Sequence, residues 1–335
     1  MNKKLDYYAA NYFFKAEKII ETFNPDSIVT LQFFQRHDDS ILGGMNEALE
    51  ILKTQTDTSK YTIRYLPEGS IIQNREVVLE LEGKYKDFGV YEGIIDGVLA
   101  RSTSIATNAK RCLDAANGKE IVFMGDRSDH YSNQERDGIA VELAGIKAHS
   151  TNAGARGNEE VVFGSIPHAL IQNFEGDLVK VMKLYYELFP NEPLIALVDF
   201  HNNVIDDSLK VLAEFKDKLY GVRVDTSKAV RDKMFKEDEN EWGVTPNQIK
   251  RLRKALDENG GQHVKIIVSS GFTPEKIKKF EAENTPVDSY GVGEFMLTIN
   301  NTFSADATKI NGKLLAKEGR KYSHNPRLIE FKNEK

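Results

Sequence analysis

The chain has 335 residues, 40% hydrophobic and 29% charged, the balance of a soluble globular protein with room for one large domain and a smaller one. Forty-five basic against 51 acidic residues leave a net charge of −6, which argues against a general nucleic-acid face while leaving a local anion site open. A single cysteine, Cys112, excludes an internal disulfide and any multi-cysteine zinc or iron–sulfur centre, and no apolar run approaches the ~18–20 residues of a membrane span.

Near the start, Asp6 and Asn11 interrupt the apolar region that a signal peptide needs, so the chain reads as cytoplasmic. Leu5, Tyr8, Tyr12, Ala16, Ile19, Ile20 and Phe23 recur at helical spacing and predict one amphipathic opening helix, stopped at Asn24-Pro25-Asp26. Residues 27–36 read as a strand, 42–54 as a helix and 62–66 as a second strand. In 76–82, Val77, Leu79 and Leu81 face one way and Glu80 and Glu82 the other, the pattern of a half-buried strand. Residues 90–116 then read as one long helix closed by Asn117-Gly118. After it come seven short apolar segments, at 119–124, 146–150, 161–164, 193–200, 219–225, 264–270 and 287–292, separated by helical or polar stretches. Continuous apolar runs of this kind suit parallel strands covered on both faces. Thr245-Pro246-Asn247-Gln248 is a capping box with proline at the first helical position, and Thr273-Pro274 starts the next helix in the same way. Asn311-Gly312, within 303–317, is a hairpin signal.

About seven strand–helix units favour a closed or nearly closed α/β barrel, or else an open doubly wound sheet. The fingerprints GxGxxG and GxxxxGK[ST] are both absent, which removes the two commonest nucleotide-binding readings. In a parallel barrel the chemistry sits at the C-terminal ends of the strands. Those ends carry Asp126-Arg127, Ser150-Thr151-Asn152, Ser165 to His168, Asp199 to Asn202, Arg223-Val224-Asp225, Ser269-Ser270-Gly271 and Gly291-Val292-Gly293. Gly271, Gly291 and Gly293 allow close backbone approach, and the helix starting at Thr273 offers free N–H groups to a phosphate. Asp199 and Asp225 suit ribose hydroxyls or Mg²⁺. Arg127 and Arg223 suit a carboxylate or a diphosphate. His168 suits a base, a phosphate acceptor or a ligand.

Each of these residues also has a purely structural reading. A glycine at a strand end makes a tight turn, His168 after Pro167 caps a helix, and Asp199 caps the helix near 204. Arg223 and Asp225, on one strand face, form an ion pair. His149 and His201 read as buried hydrogen-bonders, Tyr7-Tyr8 as core, and Cys112 as a packed thiol. What favours function is that the groups converge on one end of one barrel.

With those residues in view, the sequence resembles the nicotinate phosphoribosyltransferase family, in the short form of archaea and some bacteria. The resemblance rests on Asp6-Tyr7-Tyr8, Leu66-Pro67-Glu68-Gly69, Ser104 to Ala109, Phe123 to Arg127, Ser150 to Ala153, Gly164 to Ala169, Ala196 to Asp199, Gly221 to Thr226, Ser269 to Phe272, Val287 to Gly293, Phe303 to Asp306 and Ala316 to Arg320, in that order. It implies a type II phosphoribosyltransferase: an incomplete α/β, TIM-like barrel over 96–297, beside an α/β sandwich domain built from both chain ends, 1–95 with 298–335. It implies transfer of a phosphoribosyl group from phosphoribosyl pyrophosphate to nicotinate in NAD biosynthesis, coupled to ATP hydrolysis through a phosphohistidine. That histidine falls on His168. Arg223 and Asp225 fall on catalytic positions that contact the phosphoribosyl group, and Asp199 falls near ribose, with Asp199 and Asp225 the Mg²⁺ ligands. Ser270, Gly271, Gly291 and Gly293 fall on the 5′-phosphate site, Ser150, Thr151 and Asn152 near the base, and Arg127 by the nicotinate carboxylate or the diphosphate. The family is homodimeric, with the active site at the subunit interface and an N-terminal tyrosine, here Tyr8, reaching into the partner's site.

Three positions depart from the family pattern: Ser128 stands where a second arginine is common, Val224-Asp225-Thr226-Ser227 replaces Pro-Asp-Ser-Gly, and Asn11 replaces a basic residue. Quinolinate or nicotinamide as the base, and a non-catalytic ligand-binding barrel, remain as alternatives.

Overall fold

The computed structural model describes residues 4–332. A 3-10 turn over Leu5–Tyr8 precedes helix α1 (Asn11–Phe23). The single opening helix expected from apolar spacing is therefore broken, with extended backbone at Ala9 and Ala10. Only Phe13 of α1 is buried, and Tyr7 and Tyr8 are 65% and 66% exposed, so the stripe does not mark a core face. Next come β1 (Ile28–Phe34), β2 (Ser40–Ile41), α2 (Met45–Gln55), β3 (Thr62–Tyr65), β4 (Ile71–Ile72), β5 (Leu79–Lys84) and the long α3 (Glu92–Ala115). They are followed by β6 (Glu120–Phe123), α4 (Gln134–Leu143), β7 (Ala148–His149), α5 (His168–Asn173), α6 (Leu178–Leu188), β8 (Ile195–Leu197), α7 (Val204–Phe215), β9 (Gly221–Val224), α8 (Pro246–Glu258), β10 (Lys265–Val268), α9 (Pro274–Ala282) and β11 (Ser289–Val292). Strands β12 (Ser304–Ile310), β13 (Lys313–Leu314) and β14 (Ile329–Glu330) end the chain.

These elements form two compact units. The first holds residues up to Asn108, Glu142–Ala144 and the chain from Thr298 onward; the second holds Ala109–Val141 and Gly145–Leu297. In the first unit an antiparallel sheet runs in the order β13-β12-β1-β5-β3-β14. One face buries Leu31, Phe33, Ile63, Leu79 and Leu81 against Met45, Ala48 and Leu52 of α2 and Ile95 and Leu99 of α3. The opposite face was expected to be solvated at β5, yet Glu80 is only 4% exposed. Arg64 pairs with it at 2.8 Å, Gln32 donates to it at 2.7 Å, and the Ser323 carbonyl takes a second bond from Gln32 at 2.9 Å. The C-terminal tail covers what alternation alone assigns to water. The Asn311-Gly312 hairpin forms with φ of 48° and 75°, as a type I′ turn requires.

The second unit carries a curled parallel sheet, ordered β7-β6-β11-β10-β9-β8. The strands are short and nearly all buried because helices cover one face and side chains fill the other. Both predicted helix starts hold: Thr245 accepts from Gln248 N–H, Thr273 accepts from Lys276 N–H, and each is followed by proline. The expected strand at 161–164 is reduced to a single bridge, His149 to Val162. Turns and a 3-10 segment over Glu159–Val161 occupy the chain up to it, leaving one residue in reach of the β7 edge. The sheet therefore keeps two edges, β7 and β8, and the barrel is incomplete. Among the described residues no helix is long and apolar enough to cross a membrane.

Candidate active site

Period-two alternation and strand register assemble the site. Ile267 of β10 sits beside Arg223 of β9, and Arg223 beside Leu197 of β8. Two residues further along each strand, on the same face, come Ser269, Asp225 and Asp199. The Arg223 guanidinium is held on every side. Its Nε donates to Ser269 Oγ at 3.2 Å, Nη1 to Ser165 Oγ at 3.1 Å and Nη2 to Asp225 Oδ2 at 3.2 Å. Ser269 Oγ in turn donates to Asp225 Oδ1 at 2.6 Å. The ion pair that the sequence admits is real, and it forms part of a four-residue network. The pair is mostly buried, with 19% and 12% of the two side chains exposed, so each charge is oriented before any ligand arrives.

Beside it, His168 Nε2 lies 3.0 Å from Asp199 Oδ1. His168 is the first residue of α5, and Asp199 follows β8. Burial pushes the Asp199 carboxyl above its usual range; the His168 contact opposes this and the charge of Asp225 adds to it. In the neutral imidazole, Nε2 is the nitrogen that donates to an ionised Asp199, and Nδ1 then keeps its lone pair. Asp199 does not cap α7; Asp232 does, accepting from Val204 N–H at 3.0 Å. His201 is partly exposed and bonds the buried Asp207 at 2.8 Å, whereas His149 is fully buried. Cys112 is a packed thiol whose pKa burial pushes up to about 12.

Ser270 and Gly271 turn the chain at the end of β10 with positive φ, 80° and 64°. Gly291 and Gly293 have a different reason to be glycine. A Cβ on Gly291 would lie 2.5 Å from Met124 Sδ, and one on Gly293 would collide with the Met124 carbonyl. At Gly293 the fixed backbone of Met124 requires glycine, whereas at Gly291 the contact is with the flexible end of the Met124 side chain. On the β6–β7 side, Ser150 reaches Asp126 at 3.4 Å and Thr151 Oγ1 accepts from Gly154 N–H at 3.0 Å. Asn152 is exposed and its carbonyl closes a turn with Gly157 N–H at 2.8 Å. Arg127 is exposed and makes no hydrogen bond or ion pair among the described residues. Tyr8 belongs to the first unit.

A cavity of ≈ 210 Å³ opens on the same face of the sheet, from Ser165 and Arg223 down past Val122, Ile195 and Ile267 to Lys265 and Asp288. Ser269 shows its role only through the β9–β10 register, Ser165 only through the path of the irregular chain before α5, and Lys276 gives no sequence signal beyond its place after a helix cap. Among the described residues no three His, Cys, Asp or Glu side chains are grouped to hold a metal. Asp199 and Asp225 nevertheless lie close enough for one to raise the other's pKa. Mg²⁺ commonly takes one or two carboxylates and completes its shell with water and substrate phosphates, so this pair fits an ion that arrives with its substrate.

Residues 12–103 match the family model described as the N-terminal domain of quinolinate phosphoribosyl transferase. The chain is 25% identical over 277 residues to nicotinate phosphoribosyltransferase of Bacillus subtilis, covering 79% of this chain and 52% of that protein. A nicotinate phosphoribosyltransferase of Mycobacterium tuberculosis is 27% identical over 256 residues, covering 76% of this chain and 51% of that protein. The chain thus spans about half the length of these relatives. Among solved structures, nicotinate-nucleotide pyrophosphorylase from Pyrococcus furiosus matches with a TM-score of 0.84 and 28% identity, over 100% of this chain and 87% of that one. Human nicotinic acid phosphoribosyltransferase matches in fold, with a TM-score of 0.72 at 16% identity, over 92% of this chain and 76% of that one.

Proposed function

We propose that this chain, a member of the nicotinate phosphoribosyltransferase family, transfers a phosphoribosyl group from phosphoribosyl pyrophosphate to nicotinate. One observation carries the reading: the Arg223–Asp225–Ser269–Ser165 network and the His168–Asp199 pair stand at the C-terminal ends of neighbouring parallel strands. The nicotinate nitrogen attacks C1 of ribose while the C1–oxygen bond breaks, its electrons leaving with pyrophosphate and positive charge building on the ribose. No protein nucleophile is needed. The chain's work is to hold two reactants in line and to stabilise charge. Arg223, fixed by three acceptors, presents its guanidinium without the entropy cost of ordering a free side chain. Asp225 and Asp199 supply negative charge beside the ribose. Mg²⁺, held by Asp199 and Asp225 together with the substrate, would neutralise charge on the departing pyrophosphate.

ATP coupling follows from His168. Its Nδ1 has no partner among the described residues, so this nitrogen accepts the γ-phosphoryl group as ADP leaves; Asp199 holds the ring and steadies the charge that develops on it. The working form is a homodimer, for which the exposed Tyr8 supplies a contact to the partner's site. The decisive experiment is product detection from nicotinate and phosphoribosyl pyrophosphate, with and without ATP. Nicotinate mononucleotide formed faster with ATP is expected; no product under either condition overturns the reading.

Quinolinate is the second candidate base, favoured by the family model over residues 12–103. It carries two carboxylates, and Ser128 beside Arg127 leaves fewer cations for them. Parallel assays with nicotinate, quinolinate and nicotinamide decide between them.

A further inference from the structure

The turn at the end of β10 places Ser270, a residue with a Cβ, at a φ of 80°, followed by Gly271 at 64°. A non-glycine residue stays in this region only where its surroundings hold it. The N–H groups of Ser270, Gly271 and Phe272 meet no acceptor among the described residues, so the turn presents bare donors of the kind that form anion-binding concavities. Lys276, on the first turn of α9, reaches back to this turn. Its Nζ donates to the Ser270 carbonyl at 3.1 Å and sits 4.2 Å above the centre of the Phe272 ring. That ring is buried and fixed by Phe280 and Tyr290, at centroid distances of 5.1 Å and 5.4 Å. Burial, with a smaller effect from Lys279, lowers the Lys276 pKa to about 8, so its ammonium is held in place at a cost to its own hydration. Lys276 N–H is also the group that Thr273 caps, at 3.3 Å. One residue is thus tied to the turn by its side chain and to the helix start by its backbone.

We propose that Lys276 is a positioning residue for phosphate recognition: by holding the Ser270 carbonyl it sets the left-handed turn and aims the following N–H groups at the 5′-phosphate. The inference rests on the reading in which this loop receives phosphoribosyl pyrophosphate. A purely structural lysine would affect stability and all kinetic constants together. A positioning lysine affects one substrate.

The test compares wild type with Lys276→Met, which keeps the apolar stem and loses the donor, and Lys276→Arg, which restores it. Steady-state kinetics are read for each substrate separately, with melting temperature alongside. Lys276→Met is expected to raise KM for phosphoribosyl pyrophosphate about tenfold, the equivalent of one hydrogen bond to a charged group. KM for nicotinate should stay within about twofold, and Lys276→Arg should recover most of the loss. Equal KM values for phosphoribosyl pyrophosphate in Lys276→Met and wild type overturn the inference, as does a parallel rise in both KM values without rescue by arginine. If Lys276→Met fails to fold, Lys276→Gln carries the same comparison. Wild type that neither turns over nor binds phosphoribosyl pyrophosphate in calorimetry refutes the underlying function, and the inference with it. Active wild type matched by the variants refutes the inference alone.

Discussion

Two sides of the candidate site are built on different plans. On β8, β9 and β10, each charged group meets a protein partner: Arg223 has three acceptors, Asp225 two donors, and Asp199 a histidine. On the β6 and β7 loops, Arg127 meets none among the described residues and Asn152 is exposed. The difference teaches where each side's binding energy originates. The wired side is ordered during folding and offers a ligand a fixed field. The open side must be ordered by the ligand, or by a second chain, and loses side-chain entropy at that moment. A fixed charge array suits the phosphoribosyl group, while a free arginine suits a small carboxylate.

The largest expected effect falls on the wired side. Asp225→Ala removes a carboxylate with two donors and leaves the mostly buried Arg223 short of its counter-charge. We expect kcat/KM to fall by about 10³-fold, the upper range for loss of one preorganised electrostatic group. Wild-type turnover in this variant would remove Asp225 from the site. Asp225→Asn should fall less far, because its amide oxygen still accepts from one partner.

His168→Ala tests whether the His168–Asp199 pair belongs to the same chemistry. Basal transfer should persist, whereas the ratio of rates with and without ATP should fall to about one, since no other imidazole is paired with Asp199. An unchanged ATP ratio would detach ATP from His168.

The division between the two sides was only partly visible in the sequence. Strand ends were legible because continuous apolar runs stop at polar groups, and Asp199, Arg223, Asp225 and Ser270 all fall at such stops. The wiring was not legible. Ser269 bonds Arg223 because β9 and β10 pair in one register, and Ser165 reaches the same guanidinium from the irregular chain before α5; local pattern fixes neither. Lys276 looks like any lysine on a helix face until the chain bends back over Phe272. Gly291 and Gly293 read as phosphate-approach glycines, and local pattern gives no sign that the distant Met124 carbonyl also requires glycine at Gly293. Glu80 followed strand alternation to the solvent side, where a tail more than two hundred residues later covers it through Ser323. Local rules succeed where a residue's neighbours are near in sequence and fail where distant chain supplies the partner.

On the open side, effects should be smaller and selective. Arg127→Gln should raise KM for the base about 10- to 100-fold, the range for a charge-assisted bond, with KM for phosphoribosyl pyrophosphate nearly unchanged. A rise confined to phosphoribosyl pyrophosphate would instead move Arg127 to the diphosphate. Ser150→Ala is the mildest test. Its only side-chain bond among the described residues, to Asp126, is long at 3.4 Å, so melting temperature should not move measurably. If Ser150 contacts the base directly, KM for nicotinate should rise about threefold, as for loss of one neutral hydrogen bond. If it only steadies Asp126, KM should not change, and the open side would then depend on Arg127 and the ligand alone. That result would widen the contrast with the β9–β10 side, where no single group acts without its neighbours.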